Sequence, residues 1–189
     1  MLAVSLAPKK IDPGNFDFDK KPFLVCWETT SACDLACVHC RASAQPEPAP
    51  DELNFEESMR LVREVHGMGT PILVFTGGDP LKKKRLDDLI RYAKSLGLKT
   101  GAIPAVTPLL TETRIRELKE AGLDQIAFSL DAPNAADHDA FRKTPGVFAK
   151  TLESIKSANA CGLATQVNSL INVHNSRQID EFIALVESL

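Results

Sequence analysis

No stretch of the 189-residue chain approaches the roughly 18 consecutive apolar residues of a membrane-spanning helix, so no membrane partner is expected. An excess of charge is missing as well. A net charge of -3 leaves no basic footprint, and nucleic acid is not expected as a partner. Residues 1–8 lack a basic start followed by an apolar stretch, so no signal peptide is expected. The five cysteines are odd in number and three of them crowd into one short segment, which argues against a disulfide framework. A reducing cytoplasm is the expected compartment. Low-complexity sequence is confined to residues 45–50, QPEPAP, which reads as an extended connector because its prolines disfavour helix.

What is present is a trio of thiols at Cys33, Cys37 and Cys40, spaced CxxxCxxC directly after the apolar run 23–27. Thiolate-only ligation suits soft metals and iron–sulfur clusters, and a four-iron cluster normally takes one thiolate per iron. Three thiolates leave one iron open, a position that a catalytic centre uses for substrate or cofactor. A zinc site completed by His39 or a distant group is the competing reading, weakened by the lack of a second CxxC pair. Cys26, inside the first apolar run, and Cys161, at a helix end, read as packed or partly exposed thiols. His66, His138 and His174 have no metal-ligand spacing among themselves and receive no role.

The rest of the chain repeats one unit. Three amphipathic segments end in Gly-Leu, at Gly97-Leu98, Gly122-Leu123 and Gly162-Leu163, each followed by a short apolar stretch. Each glycine suits the left-handed residue that closes a helix, so the next run is a strand. Strands are expected at 23–28, 72–76, 99–103, 125–130 and 165–171, several apolar enough to be covered on both faces. Between them, apolar residues recur at helical spacing, as in Phe55, Met59, Val62 and Val65, or Leu86, Leu89, Ile90 and Ala93. Asn54 and Thr111 are expected N-caps, with Glu57 completing a capping box. The fold class is therefore α/β with a parallel sheet and right-handed crossovers, and ligands gather at the C-terminal strand ends.

Two of those ends carry polar groups. Strand two runs into Gly77-Gly78-Asp79-Pro80, where glycines permit close backbone approach and Asp79 offers an acceptor for an ammonium group. Strand four ends in Ser129-Leu130-Asp131, a hydroxyl and a carboxylate on the same side by strand alternation, suited to ribose hydroxyls. Taken singly, the first is also an ordinary strand-to-helix turn and the second also a helix cap.

With these three features in order, the chain resembles the radical S-adenosylmethionine (SAM) enzymes, from about Pro22 to the end. The resemblance implies a partial parallel (β/α)6 barrel of which about five strand–helix units are present, with residues 1–22 as an N-terminal arm and 23–189 as a core incomplete at its C-terminus. It implies a 4Fe–4S cluster on Cys33, Cys37 and Cys40, whose open iron is chelated by the amino and carboxylate groups of SAM. Reduction then cleaves SAM to methionine and a 5′-deoxyadenosyl radical that abstracts a substrate hydrogen. By the same resemblance Gly77, Gly78 and Asp79 receive the methionine amino group, His39 packs on adenine, Ser129 and Asp131 face the ribose, Arg142 lies near the SAM carboxylate, and Asn168 lines the SAM pocket. The electron donor is expected to be a ferredoxin or flavodoxin.

Residues 105–110, AVTPLL, stand where many such relatives have Thr-Asn-Gly, so Thr107 is not given their role. A sixth strand is missing, and the chain is expected to be part of a longer protein. The stretches 25–30 and 107–111 and Ser43-Ala44 are similar to members with a C-terminal SPASM-type auxiliary-cluster extension. That group includes haem-biosynthesis enzymes acting on tetrapyrrole side chains and enzymes that modify peptides. The haem type is the preferred reading, beside a non-catalytic iron–sulfur or zinc-binding module.

Overall fold

In a computed structural model, which describes residue 14 and residues 16–189, the chain forms a five-stranded parallel sheet in sequential order. The first 13 residues of the expected N-terminal arm, and residue 15, lie outside the described residues. The strands are β1 (Leu24–Glu28), β2 (Ile72–Thr76), β3 (Lys99–Ala102), β4 (Gln125–Ser129) and β5 (Ala164–Asn168). The helices are α1 (Phe55–Gly67), α2 (Leu86–Ser95), α3 (Glu112–Glu120), α4 (Ala135–Arg142), α5 (Val147–Ala160) and α6 (Ile179–Glu187).

Consecutive parallel strands joined by right-handed crossovers put every connecting helix on the same face of the sheet. The core lies between that face and the helices. Trp27, Leu73, Phe75, Ile126 and Phe128 from the strands meet Val62, Leu89, Ile90, Leu118 and Ile155 from the helices, all buried. Alternate strand residues point the other way. There Leu24, Ile72, Val74, Gly101, Ala127 and Gln166 line an open hollow of ≈ 550 Å³. The apolar runs are thus not covered on both faces as expected. Their second face is the concave interior of a partial barrel, which needs apolar side chains without burying them fully.

Local chemistry sets the element ends. Asn54 caps α1 by accepting from Glu57 N at 3.0 Å, while Asn54 N donates to the Glu57 carboxylate at 2.8 Å, the expected capping box. Thr111 caps α3. Gly97, Gly122 and Gly162 all have positive φ, and the leucine after each donates its N–H to the carbonyl five residues back: Leu98 to Ala93, Leu123 to Leu118 and Leu163 to Ala158. This is the six-to-one bond of a Schellman ending. It turns each helix straight into the next strand, which is why the Gly-Leu repeat marks the fold.

Two differences from the sequence reading concern the sheet's C-terminal edge. β5 ends at Asn168, short of the expected 171, because Leu170 N leaves the ladder for the Asp131 carboxylate at 3.0 Å. The helix α4 is additional, inserted between β4 and α5, so the β4 crossover carries two helices. Among the described residues no helix is long and apolar enough to cross a membrane.

Candidate cofactor site

Residues 28–45 leave β1, form a loop carrying the three cysteines, and return to its base. The loop is closed there by paired backbone bonds: Cys33 N to Gln45 O at 2.7 Å and Gln45 N to Ser31 O at 3.1 Å. The connector after it holds the loop in place as well as spacing it from α1. The Glu52 carboxylate accepts from Thr30 Oγ1 and Ser31 N, both at 2.8 Å, and from Ala49 N at 3.1 Å.

The same base packs on the glycine turn after β2. Gly78 N donates to Thr30 O at 2.7 Å and Asp79 N to Ala32 O at 2.6 Å. A Cβ on Gly78 would lie 2.3 Å from Ala32 O, and one on Gly77, whose φ is +128°, would lie 2.5 Å from Thr30 O. The two glycines therefore admit the chain's own backbone as well as facing the cleft. Asp79 differs from the expectation of a free acceptor. It is fully buried, caps the turn at residues 80–82 by accepting from Leu81 N at 3.1 Å, and accepts from Thr107 Oγ1 at 3.0 Å and Ala105 N at 3.4 Å. Pro80, at the first position of that turn, needs no N–H partner there. Burial pushes the Asp79 carboxyl up, and its three donors partly offset this. Thr107 thus has a definite place, supporting Asp79.

Between loop and strand ends lies a cleft of ≈ 270 Å³, bounded by Cys33, Cys37, His39 and Cys40, by Gly77 and Gly78, and by Ser129 and Arg142. Cys33 is buried, Cys37 and Cys40 are half-buried, and all are free thiols. Each sulfur accepts one N–H: Cys33 from Leu35 N at 3.4 Å, Cys40 from Ala44 N at 3.4 Å, and Cys37 from Arg142 Nη1 at 3.6 Å. Donors aimed at sulfur favour the thiolate, the form that ligates metal. Burial nevertheless pushes the Cys33 thiol up, with the hydrogen bond from Leu35 N opposing. Among the described residues no three His, Cys, Asp or Glu side chains are gathered tightly enough for one metal ion. A cluster asks less convergence, because each thiolate takes a different iron. The donor set, three thiolates on one cleft, fits a 4Fe–4S group with one iron left open.

The other expected residues fall in different places. His39 lines the cleft with one ring face stacked on Phe141, at 4.4 Å between centroids and 6° between planes; burial, then Arg142, pulls its pKa down, with Asp131 opposing. Ser129 faces the cleft, and Asn168 is its partner across β4 and β5 on the concave face but does not bound the cleft. Asp131 does not reach the cleft either. Its side chain is 2% exposed, it holds Arg142 through Nε at 2.9 Å and through Nη2, and its other oxygen takes Leu170 N. In this geometry Asp131 is engaged by Arg142 and Leu170 N. Cys26 is exposed on the concave side, and Cys161 is half-buried at the end of α5, so both lie away from the trio.

Sequence reasoning missed three groups at the cleft. Glu28, the last residue of β1, pairs with Arg41, which follows the third cysteine, and both bound the cleft. His138, fully buried, borders the cleft and accepts from Asp131 N through Nδ1 at 3.2 Å, so its proton sits on Nε2, a buried atom with no hydrogen-bond partner. Burial first, then Arg142, pulls its pKa down to about 4, with Asp131 opposing. The four-residue spacing from His138 to Arg142, one helix face, was the available signal.

A parallel α/β half-barrel with three thiols and a glycine turn around one cleft at its strand ends has the architecture of a cofactor-binding enzyme core. The sequence matches the Radical SAM superfamily over residues 27–189, and the chain belongs to that superfamily, whose members use a 4Fe–4S cluster and SAM. It is 39% identical over 166 residues to the AdoMet-dependent heme synthase of Oleidesulfovibrio alaskensis, covering 88% of this chain and 42% of that protein. It is 33% identical over 172 residues to the Fe-coproporphyrin III synthase of Methanosarcina barkeri, covering 91% of this chain and 42% of that protein. The chain thus spans well under half the length of these two relatives. In fold it is similar to Streptococcus suis SuiB bound to S-adenosylmethionine, with a TM-score of 0.75 at 17% identity over 88% of this chain and 38% of that one. It is also similar to anSMEcpe with bound AdoMet, at a TM-score of 0.72 and 15% identity over 87% of this chain and 48% of that one.

Two outcomes follow from the packing. Gly78→Ala drives a methyl into backbone and is expected to cost ~1–3 kcal/mol or more in denaturant unfolding while lowering iron per chain after reconstitution; full stability with full iron would contradict the close approach. His138 is neutral when folded and protonated below about pH 6.5 when unfolded, so its contribution is complete above pH 6.5 and is lost as pH falls toward about 4. His138→Gln should flatten the stability profile over that window, and an unchanged slope would count against a buried neutral imidazole.

Proposed function

We propose that the chain is the SAM-cleaving core of a radical SAM enzyme that modifies a tetrapyrrole side chain, with residues 23–189 forming that core. The observation that carries the reading is the set of three sulfurs, each with its own N–H donor, around one cleft at the strand ends. Cys33, Cys37 and Cys40 would hold a 4Fe–4S cluster. Backbone at Gly77 and Gly78 would receive the amino group of SAM, since the Asp79 carboxylate is already engaged. His39 would pack on adenine with the ring face that Phe141 leaves uncovered, and Ser129 would meet the ribose. When bound, the cluster and SAM supply reductive cleavage to methionine and a 5′-deoxyadenosyl radical. The walls from Ile103, Val106 and Val147 are apolar and would help to keep water from that event.

The tetrapyrrole reading draws on the names of the curated relatives at 33–39% identity. The peptide-modifying alternative has only fold neighbours at 15–17% identity behind it. A cytoplasmic setting with a ferredoxin or flavodoxin as electron donor completes the proposal.

After anaerobic reconstitution and reduction, the chain is expected to release 5′-deoxyadenosine from SAM, detected by mass spectrometry, and alanine at Cys33, Cys37 or Cys40 should abolish release. Addition of a propionate-bearing iron tetrapyrrole should raise the yield. A fully loaded cluster that yields no nucleoside would point to a binding module instead.

A further inference from the structure

Of the three donors aimed at the cysteine sulfurs, two are backbone N–H groups and one is a cation. Arg142 Nη1 reaches Cys37 Sγ at 3.6 Å across 105 positions of sequence. The guanidinium is not free to wander. Its Nε and Nη2 both rest on one oxygen of Asp131, in a pair whose side chains are 11% and 2% exposed. Asp131 is itself fixed from the far side, by Leu170 N on its other carboxylate oxygen at 3.0 Å and by Asn175 Nδ2 on its carbonyl at 2.8 Å. The cysteine loop is fastened to the end of the same helix by Val38 N to Phe141 O at 3.0 Å and by the stack of His39 on Phe141. Three segments therefore fix the distance from Arg142 to Cys37: the end of β4, the end of α4 and the loop after β5.

We propose that Arg142 is a tuning residue for the cluster, a clamped cation whose hydrogen bond to the Cys37 thiolate makes one-electron reduction easier. The inference rests on the cluster reading above. Reduction adds one negative charge to the group held by the cysteines, with the electron coming from the external donor, and no bond or proton need change. Hydrogen bonds to the sulfurs and net local charge are the protein's main means of setting an iron–sulfur potential. A charge-assisted donor is about twice as strong as a neutral one. In a half-buried site it is screened far less than at the surface. Asp131 lies on the side of the guanidinium away from Cys37, so it orients the cation without standing between it and the sulfur. Because the donors to Cys33 and Cys40 are backbone, Arg142 is the side chain through which this effect can be altered. This role differs from a contact with the SAM carboxylate, and the two separate cleanly: tuning operates before SAM binds.

The test is a redox titration of the reconstituted chain followed by electron paramagnetic resonance, with no SAM present. Iron and sulfide content are measured first; absence of both would sink the cluster reading itself. With the cluster loaded, Arg142→Gln is expected to move the midpoint to more negative potential by at least ~59 mV, a tenfold change in the one-electron equilibrium. Arg142→Lys keeps the charge but cannot span Asp131 and Cys37 together, and should shift the midpoint the same way by less. It decides the question if the glutamine variant fails to load. A variant midpoint equal to the unsubstituted protein's without SAM, even with weakened SAM binding, overturns the proposal.

Discussion

Everything at the site depends on the close approach of two backbones, residues 30–33 at the base of the cysteine loop and residues 77–79 after β2. Two hydrogen bonds of 2.6 and 2.7 Å join them, and no side chain larger than hydrogen fits at Gly78. This contact fixes where the three sulfurs stand relative to the strand ends. The sheet supplies the frame: sequential parallel strands put the helices on one face and leave the C-terminal edge to loops. Paired bonds to Gln45 and the Glu52 carboxylate then keep the loop from swinging outward.

Asp131 plays the corresponding part on the other side of the cleft. A nearly unexposed carboxylate is costly unless it is paired and hydrogen-bonded, and here Arg142 donates twice to one oxygen and Leu170 N once to the other. The return is a fixed orientation for two residues of α4. Arg142 is turned toward Cys37, and His138 is held at the cleft wall by accepting from Asp131 N. The cleft is thus bounded by the cysteine sulfurs, Glu28 and Arg142 together with the apolar walls of Ile103, Val106 and Val147, a mixture that offers a cofactor both polar and apolar contacts.

Much of this was legible in the sequence, for identifiable reasons. The Gly-Leu repeat works because only glycine enters the left-handed turn without strain, so it marked three helix ends and the strands after them. The cysteine spacing carried the chemistry because thiolates have few other uses in such density. Other features were not legible. Helix α4 has a weak apolar pattern, and its Asn134 cap, which accepts from Asp137 N, was the only local sign of it. The inward turn of Asp79 follows from Asp-Pro acting as a helix start, a reading that competes with ligand binding when only the motif is seen. Partial barrels also defeat the rule that continuous apolar strands are covered twice, since Val74 and Ala127 face a hollow. Glu28 with Arg41, and Asp131 with Arg142, are joined only by the fold.

The central claim is that three cysteines hold a cluster with one iron left to a sulfonium cofactor. Mössbauer spectra of the chain loaded with iron-57, recorded with and without SAM, address it most directly. The account predicts that about one quarter of the iron signal, one iron of the cluster, changes on adding SAM while the rest stays as it was. A preparation that takes up zinc without iron and sulfide, or a spectrum indifferent to SAM, would contradict it.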